Sequence, residues 1–248
     1  MSEYCHKREF LVRHEDVNFL DELKPSALLS FAQDAAGTSA DELGFGYDDL
    51  RPFGYGFVVV ATCCEILKPA RPKDILSVKT WPLPPRRVFF ERAYAVEDQS
   101  GKRVASLASR WCLVDFASGK MLPPEALKAH ATCPYRDERT LTPEFHLEKL
   151  RGEGREVYSM TARASHLDHY RHVNNAKYAD FFTDCFSREE REFKRLNSFR
   201  ISYSKQVKEG DTLVIYRKDA PEGVLFEARV NGESVTRFFA AFEEGEKA

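Results

Sequence analysis

The 248-residue sequence has no uncharged apolar run approaching the roughly 18 residues of a transmembrane helix, so membrane insertion is not expected. Its opening, MSEYCHKREF, lacks the apolar core of a signal peptide, which points to a cytoplasmic protein. No Cys-x-x-Cys pair occurs among Cys5, Cys63, Cys64, Cys112, Cys133 and Cys185. With no export signal, that spacing favours reduced thiols over a disulfide framework, and Cys63-Cys64 reads as strand packing. There is also little net charge: 37 Lys and Arg stand against 39 Asp and Glu, a formal −2. The chain as a whole is therefore no polyanion binder, and nucleic acid is not an expected partner; local basic patches remain possible. What is present, 43% hydrophobic and 31% charged residues, is globular composition.

The chain repeats itself. KPARPKDIL (Lys68 to Leu76) matches KQVKEGDTL (Lys205 to Leu213) at an offset of 137. VFFE (Val88 to Glu91) matches VLFE (Val224 to Glu227) at 136, and FAQD (Phe31 to Asp34) matches FFTD (Phe181 to Asp184) at 150. The offset falls because the first copy carries extra loop around GFGYDDLRPFGYG. Ordered matches at nearly constant offset indicate two copies of a unit of about 110–130 residues. The division read from this is 1–130, a linker over 131–150 and 151–248, with linker-like composition from about Met121 to Arg151.

Each copy opens with a short strand, EFLVR or REVYSMTAR. One long helix is expected next. In the first copy Leu28, Leu29, Phe31, Ala32, Ala35 and Ala36 recur at three-to-four spacing, with Gly44 as the stop. In the second, Tyr178, Phe181, Phe182, Cys185 and Phe186 do so, followed by a charged end, REEREFKR. Strand-like runs follow: GFVVVATCCEIL, ILSVKTW, RVFFERAYAVE and RVASLASRWCLVDF, then SFRISYSKQV, TLVIY, GVLFEARV and SVTRFFAAF. Gln99-Ser100-Gly101 and Asn231-Gly232 are turn signals between them. The fold class is α+β: a helix with one apolar face wrapped by an antiparallel sheet, twice, the two sheets joined edge to edge to remove exposed strand edges.

The unusual segment is Ser165 to Tyr178, SHLDHYRHVNNAKY, just before the second helix. Asn174 or Asn175 is a natural N-cap there. Backbone N–H groups from Val173 and Asn174 would then serve a developing oxyanion, with Asp168 and His172 beside them as an acid/base pair. That is what acyl hydrolysis requires. Two plainer readings stand next to it. Asp and Asn before a helix often act only as caps and turn formers. His166, His169 and His172 could gather a metal, although they precede the helix. At the offset of 150, Asp168 falls on Asn18 and His172 on Glu22, so the first copy lacks the pair and one active site per chain is expected.

The residues above resemble the acyl-[acyl-carrier-protein] thioesterase family over nearly the whole chain, including RWCLVDF, LDHYRHVNNAKYADFF and ISYSKQV. The resemblance implies two tandem hotdog units, each a long helix wrapped by a sheet. It also implies hydrolysis of a fatty acyl thioester of the acyl carrier protein, with no cofactor and no metal. Asp168 and His172 match the family's Asp-x-Asn-x-His pattern. Tyr170 stands in place of its Asn, a site-shaping change. Gln206 stands where a later strand usually carries Glu, and can hydrogen-bond without acting as a base. Val207 stands where plant members carry Cys, so a water nucleophile is expected. An acidic carrier protein needs a basic dock. Candidates are Lys68, Arg71 and Lys73; Arg86 and Arg87; Arg191, Lys194 and Arg195. A coenzyme A thioesterase, a weakly active acyl-binding protein, a dehydratase and a metal hydrolase are the alternatives. Some of the 19 Phe would line an acyl channel. The fused pair could act as a monomer or as a homodimer.

Overall fold

Alternating and β-branched runs become strands. The computed structural model describes residues 4–128 and 131–244. The first half contributes β1 (His6–Leu11), β2 (Tyr55–Ile66), β3 (Ile75–Arg86), β4 (Phe89–Glu97), β5 (Arg103–Asp115) and the short β6 (Lys120–Leu122). The second contributes β7 (Arg155–Thr161), β8 (Lys194–Tyr203), β9 (Thr212–Ala220), β10 (Gly223–Val230) and β11 (Glu233–Glu244). They form one sheet in the order β1-β3-β4-β5-β2-β8-β11-β10-β9-β7, with β6 beside β5. The order in one half is the reverse of that in the other, as a repeated unit joined to its copy requires. The join is antiparallel pairing of β2 with β8, from Ala61 opposite Ser202 to Glu65 opposite Ser198. Two edges are thereby removed.

The first helix, α1 (Pro25–Glu42), starts with proline at its first turn, where the missing N–H costs nothing. It ends as expected at Gly44, whose φ of 75° is left-handed and whose N–H donates to Asp41 O. The face carrying Leu28, Leu29, Phe31, Ala32, Ala35 and Ala36 is buried. The second helix, α2, departs from expectation: it covers only Lys177–Thr183. Ser187 begins a separate helical turn, Arg188–Glu192, by accepting from Glu190 N while Glu190 accepts from Ser187 N. Local capping thus cuts the periodic run in two. β8 then starts at Lys194, inside the segment read as the charged helix end. It stops at Tyr203, so Gln206 lies on a loop and not on a strand. Both helices and both halves of the sheet share one apolar core. In it Phe182 stacks on Phe238 with ring centres 5.0 Å apart, and burying such a ring stabilises by roughly 2–3 kcal/mol.

β3 runs five residues beyond the expected ILSVKTW, through Pro82, Pro84 and Pro85. β1 pairs only with Ile75 to Thr80, so past Thr80 one edge of β3 has no partner strand and tolerates prolines. The segment after β6 is less of a linker than its composition suggests. Met121 pairs in β6, and Leu127 is buried in a short helix, Pro124–Lys128. The expected boundary at 130 lies outside the described residues. Residues 131–150 form a strap across the outer face of the sheet. Arg136 N donates to Pro82 O, Trp81 Nε1 to Glu138 O (2.8 Å) and Thr140 Oγ1 to Leu107 O. Phe145 lies under Arg110, 4.2 Å from its guanidinium. The repeated VFFE and VLFE glutamates anchor both ends: Glu91 accepts from Arg139 (2.9 Å), and Glu227 from Leu150 N (2.9 Å).

Candidate active site

The loop from Leu167 to Val173 closes as a tight turn. Leu167 and Val173 bridge, and Asp168 N donates to His172 O. Asp168 Oδ1 accepts from Tyr170 N (2.9 Å) and His172 N (3.3 Å), with Arg171 at a left-handed φ of 64°. The first half builds the same turn. There Asn18 Oδ1 accepts from Leu20 N (2.8 Å) and Glu22 N (3.1 Å), Val17 bridges Leu23 and Asp21 has φ 56°. One oxygen of Asp168 is thus a turn former, which an amide does equally well. The difference is the other oxygen. Asp168 keeps an Oδ2 that no hydrogen bond among the described residues occupies, and the residue lines a cavity of about 700 Å³. His172 lines the same cavity, and its imidazole likewise makes no hydrogen bond among the described residues. The two side chains share a wall and are not bonded to each other.

The amides expected to hold an oxyanion do not fit that role. Val173 N donates to Val207 O, and Asn174 N to His166 O, both at 2.9 Å. The loop must close before the helix can start, and these two bonds close it. Asn174 Oδ1 accepts from Ala176 N, capping the entry. The Asn175 amide, by contrast, has no hydrogen-bond partner among the described residues, and that residue lines the cavity. Its counterpart at the offset of 150 is Pro25, which has no N–H at all. The half without the Asp/His pair therefore also lacks this donor. With only seven residues, α2 adds little dipole.

The three imidazoles part. His166 Nδ1 accepts from Arg163 N (3.1 Å) and its ring meets Phe181 edge-on. His169 packs on Tyr47 and Tyr170, and His172 turns to the cavity. No group of three or more His, Cys, Asp and Glu side chains able to hold a metal is found among the described residues.

Tyr170 acts as a latch between halves. Its ring lies against Tyr47 and Phe116, both with centres 5.6 Å away, and burial pushes its hydroxyl up to about 12. A Cβ on Gly56 would sit 2.6 Å from the Phe116 ring and 3.3 Å from the Tyr170 hydroxyl, so this packing needs glycine there. Gly56→Ala is expected to cost about 1–3 kcal/mol of stability by overpacking, read as a lowered Tm. Adding Phe116→Ala should recover most of that loss; no recovery would mean the clash is elsewhere. Tyr47 and Gly56 sit in the segment GFGYDDLRPFGYG, which reads simply as extra loop, although its alternation of Gly and aromatics was the available signal.

Phe45, Phe57, Phe90 and Trp111 of the first half form the apolar wall of the cavity, and Asp168, His172 and Gln206 of the second half stand at its edge. Gln206 is exposed and makes no side-chain hydrogen bond among the described residues. Tyr203, also missed by sequence reasoning, donates to Asn175 O (3.0 Å) and holds the free amide in place. Burial pushes the Cys63 thiol up to about 12 and raises that of Cys64 as well, and all six cysteines are free.

The basic candidates separate. Arg86 and Arg87 are exposed at the β3–β4 hairpin tip. Phe89 beside them pairs with Cys112, and Cys112 with Val58, two residues from Gly56, so the tip lies at the same end of the sheet as the latch. Lys194 is nine residues from Tyr203 along β8, about 30 Å away, and Arg195 is paired with Glu243. Lys68 reaches Asp98, Arg71 Nη1 donates to Leu20 O, and Arg191 is buried, so these serve the other end of the molecule.

Residues 3–125 match the family model of the acyl-ACP thioesterase N-terminal domain, and residues 151–244 that of the C-terminal domain. No curated protein matches the chain in sequence. Among solved structures, an acyl-ACP thioesterase from Bacteroides thetaiotaomicron superposes with a TM-score of 0.87 at 24% identity, over 96% of this chain and 98% of that one. A 12:0-ACP thioesterase from Umbellularia californica gives 0.88 at 18% identity, over 97% and 98%. At these identities the likeness carries the fold, which is the tandem hotdog.

Proposed function

The chain belongs to the acyl-ACP thioesterase family, and from that premise we propose that Asp168 and His172 deliver water to a fatty acyl thioester lying in the first-half cavity. It is a thioester hydrolase of fatty acyl-ACP. The observation that carries the site assignment is that one cavity is lined both by first-half Phe and Trp residues and by Asp168 and His172. Water placed between those groups loses a proton to one of them as its oxygen bonds to the thioester carbon. The Asn175 N–H receives the oxyanion. Collapse breaks the C–S bond, and the proton leaves on the thiol. Gln206 orients the water or the imidazole, and Tyr170 fixes the loop.

In this reading 1–130 shapes the pocket, 131–150 is the linking strap and 151–248 supplies the chemistry. No helix among the described residues is long and apolar enough to cross a membrane. Six free thiols fit a reducing cytoplasm, and either a monomer or a homodimer would serve.

The test is product release from ACP and coenzyme A thioesters of one acyl chain. Preference for the carrier protein is expected. Release from neither, with the acyl ligand still bound, would replace hydrolysis by acyl binding. Arg86→Glu with Arg87→Glu is expected to lower kcat/KM for acyl-ACP about tenfold at low salt and to spare acyl-coenzyme A. Unchanged acyl-ACP rates would remove this hairpin from the dock.

A further inference from the structure

Arg92 lies on β4, facing α1, and is only 6% exposed. Its Nη1 donates to Ser39 Oγ (2.9 Å) and Thr80 Oγ1 (3.3 Å). No hydrogen bond among the described residues uses its Nε or Nη2, and it makes no ion pair with a carboxylate among them. Burial lowers its pKa, yet a guanidinium stays charged at neutral pH. A buried charge without a counter-charge is costly, and buried charges are normally paired. Arg92 also lines the 700 Å³ cavity. Nothing in the fold demands it: at the offset of 136 the second half has Ala228, fully buried.

The position of Arg92 along the sheet gives the geometry. Arg92 pairs with Ser109, Ser109 with Thr62 and Thr62 with Ile201, two residues before Tyr203. It therefore stands three strand spacings from β8, about 14 Å across the sheet. Tyr203 in turn donates to Asn175 O, just after the loop of Asp168 and His172, so that loop meets the span at its β8 end and Arg92 stands at the other. The wall between them carries Phe57, Phe90 and Trp111.

We propose that Arg92 binds a carboxylate at the far end of the acyl chain, so that the preferred substrate is an ω-carboxyacyl thioester of medium length. This rests on the thioesterase reading of the same cavity. The terminal carboxylate accepts from Nε and Nη2 as a two-point pair, the geometry in which a guanidinium binds carboxylates best. Ser39 and Thr80 hold Nη1 and keep the fork turned to the chain. An unsubstituted fatty chain would leave the guanidinium buried and unpaired, so the floor both selects for one chain and selects against the other.

The experiment compares ACP thioesters of equal chain length, one ending in methyl and one in carboxylate, with wild type and Arg92→Met. The wild type is expected to favour the carboxylate by about tenfold or more in kcat/KM, and Arg92→Met to reverse the order. Equal or faster wild-type turnover of the methyl-ended chain overturns the proposal and needs no variant. A variant that slows both chains alike overturns it too, since Arg92 would then be a packing residue. Thermal shifts with the free dicarboxylic and monocarboxylic acids give a readout independent of catalysis. If neither thioester turns over but the dicarboxylic acid alone stabilises wild type, and not Arg92→Met, the Arg92 site stands and hydrolysis falls. If neither acid shifts Tm, the Arg92 site falls.

Discussion

Asp168→Asn is expected to lower kcat on acyl-ACP about 100-fold or more with little change in Tm. The first half supplies the structural control for this variant, because Asn18 already forms the identical turn through its Oδ1. The substitution keeps the two backbone hydrogen bonds and replaces only the Oδ2 that no hydrogen bond among the described residues occupies. His172→Ala should cause a loss of similar size, since that imidazole makes no structural hydrogen bond among the described residues. The two effects should not add, because the groups act on one water. Circular dichroism and Tm separate this from misfolding. Wild-type rates in Asp168→Asn would reduce the carboxylate to a cap and place the chemistry elsewhere.

The largest expected loss of stability lies at the other face of the sheet. Glu91 is 4% exposed and holds Arg110 (2.7 Å) and Arg139 (2.9 Å). Glu91→Ala removes the shared acceptor and leaves two cations facing each other beneath the strap. Breaking such a buried group by removing one partner costs about 3 kcal/mol, partly offset here because both arginines retain some exposure to water. Burial alone pushes the Glu91 carboxyl up, but hydrogen bonds from the two arginines outweigh it and hold the group below its ordinary 4.5. A folded value below the unfolded one means the contribution is complete above about pH 4.5 and is lost as pH falls through the lowered value. Chemical denaturation of wild type and variant between pH 7 and pH 3 should therefore show curves that converge in acid. Curves that stay parallel would show that the loss comes from packing.

The repeat was legible because each half keeps the residues that fold it: Lys68 and Lys205, Glu91 and Glu227, Asp74 and Asp211. The antiparallel edge join followed from the need to cover two strand edges. The start of the second helix was legible but its end was not, because hydrophobic spacing through Phe186 hides the competing cap at Ser187. The run of prolines hid the last five residues of β3 because proline rules apply to interior strands, and pairing alone reveals that one edge of β3 has no partner strand there. At the site, Asp168 and His172 stood out by residue type. Asn175 did not, because a free amide is defined by which neighbouring amides are already engaged, and only the closed turn shows that Val173 and Asn174 are. Tyr170 and Gly56 lie 114 residues apart in sequence, and no local pattern joins them.

Pro25 has a consequence for how the two halves can diverge. To regain a second site at the first turn, the chain would have to change Asn18, Glu22 and Pro25 together, and no one of these steps would bring activity by itself. Losing the proline first would also cost the long helix a well-suited first residue. If the sites are as proposed, the division of labour is a ratchet: the first half is free to vary the shape of its pocket, while the second is bound to its chemistry. On the proposed reading each polypeptide would process one acyl chain at a time, a stoichiometry set in the backbone by a residue that cannot donate a hydrogen bond.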